Sequence, residues 1–167
     1  MNKTTAELNQ DVAYALSNNL VRLLIEFSKD FERRILQSLQ LRGHPNIRPS
    51  HSVLFSNLGL GAVRVTELAE RAQVTQQAMG KMLKEVERLG YISRGIDETD
   101  KRAKEIRLTE MGLQMVEDSM EVVEEVRQYY AARVGTTQLD QLEDLLRDTV
   151  QKIGLEYLPE SWTQTPK

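Results

Sequence analysis

The stretch VTELAERAQVTQQAMGKMLKEVERLG, residues 65–90, constrains the architecture of this chain more than any other. It reads as two short helices, each opening on a threonine. Thr66 caps the first, with Leu68 and Ala69 facing inward, and Thr75 caps the second, which stops at Gly90. Only three or four residues separate them. On the second helix Met79, Met82, Leu83 and Val86 share one face, while Gln77, Lys81, Lys84 and Arg88 occupy the opposite face. Directly afterwards the period changes from helical to alternating. Residues 91–94 and 104–109 read as two strands around the polar loop GIDETDKRA, a hairpin with a long tip.

Long helical patterns flank this block. Residues 11–41 read as one helix, with apolar positions at Val12, Leu16, Leu20, Leu23, Leu24, Phe27, Phe31, Ile35 and Leu39 and no Pro or Gly inside. A rod of ~30 residues is roughly 45 Å long, more than one small core can cover, so part of it is expected to meet another chain. Gly43, Pro45 and Pro49 mark a loop, and Ser50 is the expected cap of a short helix ended by Gly59. A helix over residues 109–134 breaks at Gly135. A last amphipathic helix over 137–157 carries Leu139, Leu142, Leu145, Leu146, Val150 and Ile153. The expected fold is mainly α with a small β-hairpin wing: a winged helix-turn-helix over 50–108, with dimerisation helices at 11–41 and 109–158, in a single domain over 1–167.

Net charge is −3, which at first argues against a polyanionic partner. The charge is segregated, however. Residues 62–108 hold ten Lys/Arg against eight Asp/Glu, whereas residues 109–148 hold three against ten. A local patch matters more than the total for binding nucleic acid. The absence of cysteine excludes a disulfide framework, a zinc–thiolate site and a thiol sensor. Aromatic residues are scarce at 5%, which disfavours a stacking platform for single strands. No apolar leader or membrane-length stretch is seen, so a cytoplasmic protein without membrane association is expected.

The outward face of the second helix has what major-groove recognition of double-stranded DNA requires. Gln pairs with an adenine edge, Lys donates to guanine, and further cations hold phosphates. Gly80 lets the helix approach closely, and its helix N-terminus at Thr75 and Gln76 favours a phosphate. At the wing tip, Arg102 is suited to the negative minor groove, with Asp100 to orient it and Lys101 beside it; Arg94 can join Asp100 or a phosphate. A plain solvated helix also shows outward lysines, so a dimeric winged-helix adaptor for a protein partner is the rival reading. His44 and His51 lack the ligand spacing of a metal site, and are expected to be solvent-exposed or helix-capping. Tyr129 and Tyr130 are expected to pack, and the acidic face of 117–125 to be solvated. No catalytic set is present, and neither an enzyme nor a cofactor is expected.

Three segments carry a resemblance to the multiple antibiotic resistance regulator (MarR) family of transcription factors. They are the two-helix block with the following YISR, the wing signature DETDKRAKEIRLT, and Leu108-Thr109 with Gly112 at the start of the next helix. The resemblance spans most of the chain. It implies an obligate homodimer with intertwined terminal helices, a palindromic operator, repression, and often release by a small anionic aromatic ligand. Carried over by position, Gln76, Gln77 and Lys81 read bases, Thr75 and Lys84 touch backbone, and Arg102 enters the minor groove. Lys101 departs from the more usual Arg, and Gly80 from a frequent hydroxyl residue. The family analogy also places a ligand pocket between the first two helices and the dimer helix, where Arg42, His44, Arg48 and His51 are the expected cations for an anion.

Overall fold

The rod expected over residues 11–41 is two helices, α1 (Thr5–Ser17) and α2 (Leu20–Leu41), in the computed structural model, which describes residues 4–59, 63–96 and 104–159. Neither Gly nor Pro makes the break. Asn19 is extended (φ −84°, ψ 160°), and its side-chain oxygen accepts from the Arg22 N–H at 2.9 Å. Its amide donates to the Leu16 carbonyl at 3.0 Å, and the Asn18 amide donates to Tyr14 at 3.0 Å. Asparagine competes well for backbone groups, so this pair closes one helix and opens the next.

Helix α3 (Pro49–Leu58) starts two residues earlier than expected. Pro49, not Ser50, opens it behind an extended Arg48, because a proline at the first position gives up no needed N–H. Gly59 ends it at φ +68°. Strand β1 (Val63–Arg64) comes next and was not anticipated, since two residues carry no periodic signal. Arg64 therefore holds the cap position of α4 (Val65–Arg71) in place of Thr66. The turn into α5 (Gln76–Arg88) uses Gln73 at φ +52°, with the Val74 N–H on the Ala69 carbonyl at 3.0 Å. Thr75 caps α5 as expected, accepting from Ala78 at 3.1 Å, and Gly90 at φ +88° follows its end.

Strands β2 (Ile92–Ile96) and β3 (Lys104–Leu108) form the wing, and β1 adds to the outer edge of β3. The sheet is antiparallel in the order β1-β3-β2, with Ile92 opposite Leu108 and Val63 opposite Ile106. Thr109 caps α6 (Glu110–Val134), accepting from Gly112 at 3.1 Å. Helix α7 (Thr136–Ile153) ends four residues before the expected 157, where Gly154 turns left-handed at φ +64°.

Two cores result. The first packs Leu54 and Leu58 of α3, Leu68 of α4, Met79, Leu83 and Val86 of α5, and Ile92 and Ile106 of the sheet. Full burial of such side chains contributes about 1.5–3 kcal/mol each. The second joins Leu39 of α2 to Val122, Val126 and Tyr130 of α6 and Leu139 of α7. Tyr130 stacks on Phe31 at 5.3 Å, and Arg34 lies 3.8 Å over the Tyr129 ring, so both tyrosines pack as expected. Helices α2 and α6 run through both cores. Outside them, Leu8, Val12 and Leu16 of α1, Leu20 and Leu23 of α2, and Leu145 and Ile153 of α7 remain exposed.

Candidate nucleic-acid interface

The period of α5 separates its two faces cleanly. Met79, Leu83 and Val86 are fully buried, which turns Gln76, Gln77, Lys81, Lys84 and Arg88 outward, all exposed. Neither Lys81 nor Lys84 is ion-paired among the described residues. The Thr75 hydroxyl is engaged as the cap, so its exposed surface stands at the positive end of the helix. At Gly80 a Cβ would meet nothing within 4 Å, so no packing inside this chain demands the glycine.

Arg94 points from β2 onto α5, with its Nε 3.0 Å from Glu87. It thereby ties the wing to the C-terminal end of α5, and its partner here is Glu87. Asp100, Lys101 and Arg102 lie outside the described residues.

The four cations expected to form an anion site do something else. Arg42 donates to Glu121 at 2.6 Å and to Glu125 at 2.5 Å, which keeps its guanidinium charged more firmly than usual. His44 is 5% exposed, not solvated. Its Nδ1 lies 3.0 Å from the Tyr91 hydroxyl and its Nε2 2.8 Å from Asp118. The imidazole holds the Asp118 carboxyl below its ordinary range, and burial pushes the Tyr91 phenol up. Arg48 pairs with Glu85 of α5 at 2.9 Å. His51 is fully buried, accepts from the Arg48 N–H at 3.3 Å as a capping residue, and places Nε2 3.5 Å from Glu85. That imidazole, with Arg48, lowers the Glu85 carboxyl against the opposing effect of burial. The acidic face of 117–125 is correspondingly not simply solvated, since Glu121 and Glu125 meet Arg42 and Asp118 meets His44.

None of these four side chains lines the apolar cavity found among the described residues beside α6. It measures about 840 Å³ and lies between α2, α3 and α6. Its wall is apolar, including Phe27, Phe31, Ile35, Phe55 and Met120, with four serines and a single charged residue, Glu32. Among the described residues no group of His, Cys, Asp or Glu is placed to hold a metal ion, and no helix is long and apolar enough to cross a membrane. Sequence reasoning found the α5 face through its period. It missed Glu87, Glu85 and the cavity wall, whose roles depend on packing between distant segments.

A capped helix with a polar basic face, backed by a short helix and followed by a three-stranded wing, defines a winged helix-turn-helix protein. Residues 48–104 match the model of the MarR family. Solved structures share the fold. A cysteine-to-serine variant of MarR from E. coli, complexed with operator DNA, is 22% identical; the match covers 82% of this chain and 97% of that one, with a TM-score of 0.66. MepR, a transcription regulator of the Staphylococcus aureus multidrug efflux pump MepA, is 20% identical over 81% of this chain and 98% of its own, with a TM-score of 0.61. YusO of Bacillus subtilis is 21% identical over 89% and 99%, with a TM-score of 0.56.

Proposed function

We propose that this protein is a homodimeric, DNA-binding transcriptional regulator that represses from a palindromic operator. The observation that carries the reading is the outward face of α5: exposed Gln76, Gln77, Lys81 and Lys84, the lysines without ion pairs among the described residues, on a helix whose other face is locked in the core. A solvated helix in a protein this rich in acid has every opportunity to pair its lysines; these are left available. A similar fold in complex with operator DNA supports the same use. In this reading Gln76, Gln77 and Lys81 address base edges, Thr75 and Lys84 the backbone, and Arg102 with Lys101 and Asp100 the minor groove.

The apolar stripe of α1 and α7 supports a dimer, since Leu16 and Leu145 are 67% and 66% exposed in the single chain. The cavity beside α6 suits an effector, but its wall changes the expected chemistry. With apolar sides and Glu32 as its charged residue, it favours a neutral or cationic apolar molecule over an anion.

Selection from a random duplex pool at two salt concentrations tests the function. A palindrome with half-sites about one helical turn apart, weakening steeply with salt, is the expected result. Lys81→Ala is expected to cost about 1–3 kcal/mol on that operator and to relax preference at one base pair per half-site. Equal loss on random DNA would make Lys81 a phosphate contact. No enrichment at either salt would favour the protein-binding adaptor.

A further inference from the structure

The two cores of this chain are joined through α2 and α6, and an apolar cavity of about 840 Å³ opens between them. Apolar contacts are not directional, and a cavity forfeits some of them, so packing alone leaves the angle between the α5 lobe and α6 soft. Directional bonds must set it.

One such attachment lies at the start of α6. The Thr109 hydroxyl donates to the Gly90 carbonyl at 2.6 Å, and the Thr109 N–H donates to the Tyr91 carbonyl at 3.1 Å. Gly112 sits so close that a Cβ there would stand 2.0 Å from the Tyr91 carbonyl oxygen. This fixes one end of α6 against the corner where α5 turns into the wing. A single point of attachment still permits pivoting.

The second attachment is His44. It bridges the side chain of the same Tyr91 to Asp118, six residues along α6 from Gly112 and about 9 Å further by helical rise. Tyr91 and His44 are nearly fully buried, so the bond between them is shielded from water, while the bond to Asp118 is partly so. Two points on α6 now hold one residue of the α5–wing corner, and rotation about either is blocked.

We propose that His44, acting through Tyr91 and Asp118, fixes the angle between the recognition helix and α6 and thereby selects the spacing of the two operator half-sites. The proposal rests on the DNA-binding reading above. The leverage is sufficient: along the roughly 37 Å of α6, a tilt of 5° moves the far end by about 3 Å, close to the 3.4 Å rise of one base pair. His44 is a positioning residue and touches no DNA.

The test uses the full-length protein and duplexes carrying the selected half-site once, or twice with the spacer changed by one or two base pairs. Wild type is expected to prefer one spacing by about tenfold. Tyr91→Phe and Asp118→Asn are each expected to reduce that preference to about threefold or less, with binding to a single half-site unchanged within about twofold. The double variant is expected to be no worse than either single one, because both act through His44. A preference that survives Tyr91→Phe and Asp118→Asn overturns the proposal. So does a uniform loss on all duplexes with a lowered Tm, which marks a merely structural role. Failure of wild type to bind any duplex overturns the DNA-binding reading and this proposal together; binding without spacing preference overturns this proposal alone.

Discussion

Gly80 sits in the middle of α5, where glycine costs about 1 kcal/mol relative to alanine, yet beyond its own helix backbone a Cβ there would meet none of the described residues within 4 Å. Gly80→Ala is therefore expected to stabilise the free protein by about 0.5–1 kcal/mol in urea unfolding while weakening operator binding. Unchanged DNA affinity would remove close approach as the reason for the glycine. Asp30 shows the opposite economy. Its carboxylate accepts from the Tyr130 hydroxyl, Arg33 and Arg34, which together hold it far below the ordinary carboxylate range. A carboxyl depressed in the folded state stabilises above its unfolded pKa, and that contribution is lost as pH falls through the folded value. The difference in melting temperature between wild type and Asp30→Asn is thus expected to be largest near neutrality and to shrink below about pH 4. A constant difference from pH 7 to pH 3 would show that Asp30 acts by packing. Such pairings were invisible in the sequence: Asp30 meets a tyrosine 100 residues away, and His44 meets partners 47 and 74 residues away.

The elements that sequence reading placed well are those with both a cap and a period. Thr75, Gly90 and Thr109 bound α5 and α6 because a side-chain oxygen or a left-handed glycine ends a helix by local chemistry alone. The outward face of α5 was legible for the same reason, since burying Met79, Leu83 and Val86 leaves only one direction for Lys81 and Lys84. Short or unpunctuated elements were not legible. Strand β1 exists because Val63 and Arg64 find Ile106 and Glu105 across the sheet, a pairing with a partner some forty residues on. The α1–α2 break exists because Asn19 outcompetes helix continuation in an apolar run that gave no warning. Asn19→Ala is expected to cost about 1 kcal/mol of stability by thermal or urea unfolding, with little loss of total helix. A larger loss would show that the break also sets how α1 leaves α2 to meet a partner.

At the scale of the whole molecule, charge and apolar surface divide the labour. The acidic excess that makes the chain's net charge −3 lies in the α6–α7 region, where residues 109–148 hold three Lys/Arg against ten Asp/Glu, while the α5 face stays polar and basic. The exposed leucines of α1, α2 and α7 lie outside both cores, and a chain of this size does not leave such a stripe to water without cost. In the proposed dimer a two-fold partner would cover it with the same surface, and would place two α5 helices on one face of a duplex. Leu145→Glu puts a charge into that surface at a position 66% exposed in the single chain, so it is expected to leave the fold intact and dissociate the dimer in analytical ultracentrifugation. DNA binding then reports the same event independently. A monomer neutralises about half as many phosphates, so the slope of log affinity against log salt is expected to fall by about half. Dissociation with an unchanged slope would mean that one protomer makes all the phosphate contacts. An intact dimer would place the two-fold interface elsewhere than α7.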